Sequence, residues 1–107
     1  MKLPIILQEF LKAQEFFDSI AFANCFSEHA SVFDEGKIYT GKEEIKQWNE
    51  KSNNEYQTLF EVMDFSVKDN MKILKINISG SFEGSPVVLN FHFRIENNLI
   101  NTLAIAE

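Results

Sequence analysis

A chain of 107 residues has room for one hydrophobic core and no second, so it reads as a single domain spanning residues 1–107. Its net charge of −6, with lysines and arginine scattered singly, excludes nucleic acid and anionic membrane surfaces as expected partners, because both are held by clustered cations. No apolar run reaches the roughly 18 residues a membrane-spanning helix needs, so no membrane span is expected.

The apolar fraction is 45%, and 11 residues are phenylalanine. Each buried phenylalanine contributes about 1.5–3 kcal/mol of transfer free energy. Eleven exceed what a plain core of this size needs, so some rings are expected to line a cavity or an interface. The opening Met1-Lys-Leu-Pro-Ile-Ile-Leu-Gln-Glu reaches charge too soon for the roughly 7–15-residue apolar core of a signal peptide, and cytoplasmic is the expected location. A lone Cys25 permits no internal disulfide and fits a reducing compartment. With two histidines, His29 and His92, far apart and no clustered carboxylates at ligand spacing, no metal is expected. No phosphate-cradling glycine loop appears, and no cofactor is expected.

Pro4 suits a first helical position. Ile6, Phe10, Ala13 and Phe17 follow at helical spacing, widened by Leu7 and Leu11. Asp18 reads as the cap of a second helix through Ile20, Phe22, Ala23, Cys25 and Phe26. Residues 30–39 predict one or two short strands broken at Gly36. Thr40-Gly-Lys-Glu43 fits a capping box, and the third helix carries Ile45 and Trp48 before dissolving at Ser52-Asn53-Asn54. From Tyr56 the apolar period changes from 3.6 to 2. Strands are predicted at about 57–67, 71–82, 86–96 and 99–106, joined by tight turns as an antiparallel meander. Helices on one face of such a sheet make an α+β domain, and a strongly curved antiparallel sheet closed by three helices encloses a cone.

The most informative stretch is Ala30-Ser-Val-Phe-Asp-Glu-Gly-Lys-Ile-Tyr-Thr-Gly-Lys-Glu-Glu-Ile45, an apolar strand ending in an acidic pair, a turn at Gly36 and re-entry to a helix. Together with Gly80-Ser-Phe-Glu-Gly-Ser-Pro-Val-Val-Leu-Asn-Phe-His-Phe-Arg-Ile95 and the element order, it resembles the NTF2-like superfamily in its small SnoaL-like and ketosteroid-isomerase-like branch, with a cystatin-like fold. The resemblance covers about Leu7 to Ile105. It implies a homodimer through the open sheet face and an apolar pocket inside the cone. It also places Asp34 where the steroid isomerases keep their proton-shuttling carboxylate. The two oxyanion donors of those enzymes correspond to Phe10 and Phe91, which cannot donate. Losing one such donor costs about 10²–10³ in rate, which argues against steroid isomerisation. Epoxide hydrolases of this fold use an Asp–Arg–Asp set, whereas this chain has only Arg94.

Strand parity puts Val87, Leu89, Phe91, Phe93 and Ile95 inward and His92 and Arg94 outward, leaving His92 a surface residue despite its near-neutral pKa. Asp34 shares parity with Ala30 and Val32. Inside a pocket, desolvation raises a carboxyl pKa and fits it for acid–base work; the bland alternative is a turn carboxylate beside Gly36. Trp48 would wall the pocket, with Tyr39 and Tyr56 supplying hydroxyls. Asn101, read as inward with Leu99, Leu103 and Ile105, would add a polar anchor. Cys25, flanked by Phe22 and Phe26, reads as an inert buried thiol. The expectation is therefore a binder of a small apolar molecule, with catalytic acid–base chemistry at Asp34 or with Asp34 only orienting the ligand. Ligand contacts would come from Tyr39, Trp48, Tyr56, Phe91 and Asn101. The alternative is a dimeric interaction module with a filled interior, packed through Phe33, Met63 and Val88.

Overall fold

In the computed structural model, which describes residues 2–107, Pro4 stands just outside the first helix, and its carbonyl accepts the N–H groups of Leu7 and Gln8 at 3.0 and 3.1 Å. Helix α1 (Ile5–Glu15) buries Ile6, Leu7, Phe10 and Ala13. Phe17 leaves this stripe: it occupies the turn after α1 with φ +52 and is exposed. The Asp18 carboxylate accepts the Ala21 N–H at 3.0 Å and starts α2 (Ser19–Asn24), as its capping chemistry predicts.

Strand β1 (Phe26–Asp34) begins four residues earlier than the sequence pattern indicates, taking Phe26 from the helix it was assigned to. It turns into β2 (Lys37–Thr40) through Glu35-Gly36, both at positive φ. Positive φ at both central residues is the twist-compatible geometry of a two-residue hairpin. Helix α3 (Gly41–Tyr56) starts at the expected Thr40, but Glu44, not Glu43, accepts the Thr40 N–H, at 2.9 Å. The helix also runs through Ser52-Asn53-Asn54 instead of ending there, and stops only at Gln57, at φ +51.

Strands β3 (Leu59–Lys68), β4 (Met71–Ser79), β5 (Val87–Glu96) and β6 (Leu99–Ala106) form the expected antiparallel meander. β4 stops at Ser79 rather than at 82, because Gly80 passes close to the end of α3: a Cβ there would lie 2.5 Å from the Tyr56 carbonyl oxygen. The Ser81 N–H donates to that same oxygen at 2.8 Å.

The six strands make one open sheet in the order β2-β1-β6-β5-β4-β3. The sheet is mixed rather than wholly antiparallel, because β1 lies parallel to β6 while the other four pairings are antiparallel. That pairing joins the first strand to the last, and no turn between neighbours announces it. Register shifts in the β1–β6, β3–β4 and β5–β6 ladders add local twist and bending.

The architecture is α+β, with the core between the helices and one sheet face. Phe10 sits at its centre, with ring centroids 4.8 Å from Phe22, 5.2 Å from Phe93 and 6.2 Å from both Phe26 and Phe60. The other sheet face leaves Phe33 and Val88 exposed, as the strand parity predicts. No helix of the described residues is long and apolar enough to cross a membrane.

Candidate functional site

A half-open cavity of about 630 Å³ lies against the inner sheet face, within the size range of small-molecule sites. Its apolar lining comes from every layer of the fold: Phe22 from α2, Phe60 from β3, Leu89 and Phe91 from β5, and Ile105 from β6. Some of the phenylalanine load is thus spent on a cavity wall, while Phe10, Phe26 and Phe93 fill the core completely.

Asp34, Tyr39, Trp48, Tyr56 and Phe91 all line this cavity. Asp34 ends β1 on the same parity as fully buried Ala30 and Val32, so its side chain follows theirs inward. Tyr39, two residues beyond Lys37 on β2, stacks on Trp48 of α3 with centroids 5.5 Å apart and 28° between the planes. Tyr56, in the last turn of α3, meets Phe82 of the β4–β5 loop edge-on at 5.9 Å.

Asn101 is placed elsewhere. The β5–β6 register shifts so that Arg94 pairs with Thr102 and Ile95 with Ile100, leaving Asn101 as the extra residue of a bulge. Period-2 parity fails across a bulge. Ile100 is fully buried, and the Asn101 side-chain oxygen accepts the Ser27 hydroxyl at 3.1 Å, away from the cavity lining.

The sequence reading missed a buried polar network beneath the cavity. The Gln14 amide N–H groups donate to the Asn53 side-chain oxygen at 2.8 Å and the Thr58 carbonyl at 2.7 Å. Asn49 donates to the Gln14 oxygen at 2.8 Å and accepts from the Ser19 hydroxyl at 2.7 Å and from Asn53 at 3.0 Å. These bonds tie α1, α2, α3 and the start of β3 together, and Gln14, Asn49 and Thr58 also face the cavity. A signal existed: Gln14 continues the stripe of Ile6, Leu7 and Phe10, and Asn49 and Asn53 continue that of Ile45. Polar residues at core positions of a helix demand partners.

Six charged residues border the cavity: Asp34, Glu35, Glu55 and Glu83 against Lys37 and Lys51. Among the described residues Asp34 makes no ion pair, although Lys37 is its register partner across the hairpin. Desolvation raises the Asp34 pKa above its ordinary value, Glu35 adds to this by repulsion, and hydrogen bonding with the Trp48 side chain partly opposes both. The arrangement is a half-buried carboxyl beside an indole at the edge of an aromatic cavity, able to accept a proton or hold a polar ligand group.

The other reactive side chains stand outside this arrangement. His29 is exposed on β1, and His92 lies on the outward parity of β5. Cys25 is buried, its thiol pushed up to about 11 by desolvation and by nearby Glu9, which leaves it protonated and unreactive. Phe91 reaches the cavity and Phe10 does not, and neither position supplies an oxyanion donor. Arg94 is exposed on the opposite face. No group of three or more potential metal-binding side chains occurs among the described residues.

No family model and no curated protein matches the sequence. Solved structures do match. A Sinorhizobium meliloti protein assigned as a polyketide cyclase is 29% identical, with a TM-score of 0.91 over 96% of this chain and 94% of that one. A Catenulispora acidiphila protein with a ketosteroid isomerase-like fold, determined in complex with trimethylamine, is 15% identical, with a TM-score of 0.86 over 99% and 87% of the two chains. A computationally designed 17-OHP binder is 14% identical, with a TM-score of 0.79 over 94% and 87%. The last two likenesses show the shared fold.

Proposed function

We propose that this chain, which has the NTF2-like fold, is a single-domain pocket protein that holds a small, largely apolar molecule against the inner sheet face, with Asp34 as the acid–base group of the site. The observation that carries this reading is the placement of Asp34, without an ion-pair partner among the described residues, at the border of an aromatic cavity of about 630 Å³. Apolar lining supplies affinity, and a few convergent polar groups fix orientation. Trp48 and Tyr39 would stack on the ligand, and Tyr56 would offer its hydroxyl near the rim. A carboxyl whose pKa is raised above its ordinary value shares protons with a bound molecule more readily than an ordinary one. Two small-molecule associations among similar structures, a trimethylamine complex and a 17-OHP binder, lend support to small-molecule binding on this fold. The lone buried Cys25 fits the cytoplasm.

The test is a thermal-shift screen of neutral ring compounds, followed by turnover assays on any hit with Asp34→Asn. Binding retained and turnover lost in the variant is the expected result. A screen in which no apolar compound shifts the transition sinks the reading and favours the dimeric interaction module with an unused interior. We also propose a homodimer across the outer sheet face, where Phe33 and Val88 stand exposed.

A further inference from the structure

We propose that the ligand of this cavity carries a positive charge: a protonated or quaternary ammonium group on an apolar body, its cationic end held between the Tyr39–Trp48 pair and Asp34. The inference rests on reading the cavity as a ligand site and narrows the chemistry of what enters it.

Three observations carry it. First, the aromatic surface next to Asp34 is of the kind that attracts cations. Trp48 stacks on Tyr39 at 5.5 Å, with the nearly fully buried Phe22 6.0 Å from the indole, so an indole and a phenol border one corner of the cavity. The negative faces of such rings attract ammonium groups, with tryptophan the strongest.

Second, the charges bordering the cavity are unbalanced. Four carboxylates face two lysines, and Lys51 is already engaged with Glu55 at 4.0 Å. Among the described residues Asp34 has no such partner. A neutral ligand that covered Asp34 would strip its water and return at most a hydrogen bond, and an anionic ligand would add repulsion from Glu35. An ammonium group replaces the lost water with an opposite charge.

Third, the polar floor has few donors left for an anion or a carbonyl. Both N–H groups of Gln14 and the Ser19 hydroxyl donate to protein acceptors, and one Asn49 N–H is spent on Gln14. Most of the network's donors are thus used within it.

Trp48 is the only tryptophan in the chain, so its emission reports on this corner alone. The probes are choline and 3,3-dimethylbutan-1-ol, which share a shape and differ in replacing nitrogen by carbon and removing the charge. Choline is expected to change Trp48 emission saturably and to bind about tenfold more tightly than the alcohol. Asp34→Asn is expected to remove most of that preference by weakening choline. Equal binding of both probes to the wild-type protein overturns the cationic inference and leaves the apolar-pocket reading standing. Absence of binding by either probe, by emission and by calorimetry alike, overturns the inference; if the screen of neutral ring compounds is also empty, the pocket reading falls with it. The wild-type comparison needs no variant, so a misfolded Asp34→Asn protein would not rescue the idea.

Discussion

Tyr39 and Trp48 stack with their ring planes 28° apart, and this contact is where the acidic hairpin meets helix α3. Each residue sits on a different element, β2 and α3, and both line the cavity beside Asp34. The stack therefore holds the Asp34–Glu35 turn against the helix as well as forming a ligand wall. An aromatic pair contributes about 0.5–1.5 kcal/mol beyond the area it buries. Tyr39→Ala should cost at least that much in chemical denaturation. It should also shift Trp48 emission to the red as water reaches the indole. An unchanged emission maximum would mean that the stack does not shield Trp48.

Gln14 is almost fully buried and bonds Asn49, Asn53 and the Thr58 carbonyl. Gln14→Leu fills similar volume but strands those partners. Leaving a buried polar group unsatisfied costs about 1–3 kcal/mol, and at least two groups are stranded here. Urea denaturation should show a loss of about 2–4 kcal/mol on that basis. A loss below about 1 kcal/mol would show that water enters from the cavity and takes over the bonds.

The same network marks the limit of what the sequence reveals. Apolar spacing locates α1, and capping chemistry locates the start of α2 at Asp18, because both depend on residues within a turn or two of each other. The end of α3 was misplaced because asparagine ordinarily favours turns, whereas Asn49 and Asn53 are helical here through bonds to Gln14, 35 and 39 positions away. Nothing local encodes that partnership. Asp34, Tyr39, Trp48, Tyr56 and Phe91 reach one cavity because strand parity and helix spacing decide their directions. Asn101 misses it because one bulge in β6 reverses the parity on which its assignment rested. The parallel β1–β6 pairing was illegible for the same reason as the network: it links the first strand to the last.

Gly80 should tolerate no side chain. An added Cβ meets backbone, the Tyr56 carbonyl oxygen, at 2.5 Å, and a backbone atom cannot swing aside as a side-chain tip can. Gly80→Ala should push the β4–β5 loop off the end of α3. That move breaks the Ser81 N–H bond to Tyr56 and parts the Tyr56–Phe82 pair. Hydrogen exchange of the Ser81 amide should accelerate, and stability should fall by about 1–3 kcal/mol, the range for a strained backbone replacement. Unaltered protection at Ser81 would refute this account of the loop.

The outer sheet face tests the dimer. Phe33 and Val88 are each 41% exposed, on the parity of β1 and β5 that faces away from the core. Phe33→Lys with Val88→Lys should give a monomer in sedimentation velocity while the wild type sediments as a dimer at micromolar concentration. The doubly substituted chain should keep its far-ultraviolet spectrum, because neither side chain belongs to the buried core. A wild-type monomer at that concentration would remove the dimer from the proposal.

The pH dependence of stability follows from Asp34. Its folded-state pKa lies above the unfolded value, through desolvation first and Glu35 second, with the Trp48 side chain opposing and Lys37 facing it across the hairpin. Between those two pKa values the folded protein holds a proton that the unfolded chain has lost. Stability therefore falls as pH rises through that window, and the cost of an ionised Asp34 is fully present above the folded pKa. Asp34→Asn removes the titration, so the variant should match or exceed the wild type in stability at neutral pH and lose this part of the slope in the acid range. A cationic ligand should act oppositely on the wild type, binding more tightly as pH rises and Asp34 ionises. Denaturation midpoints for both proteins across pH 4–7, with and without choline, measure the two effects together. A variant less stable than the wild type at neutral pH would show that the ionised carboxylate is stabilised by Trp48 and Lys37 more than it is penalised by burial.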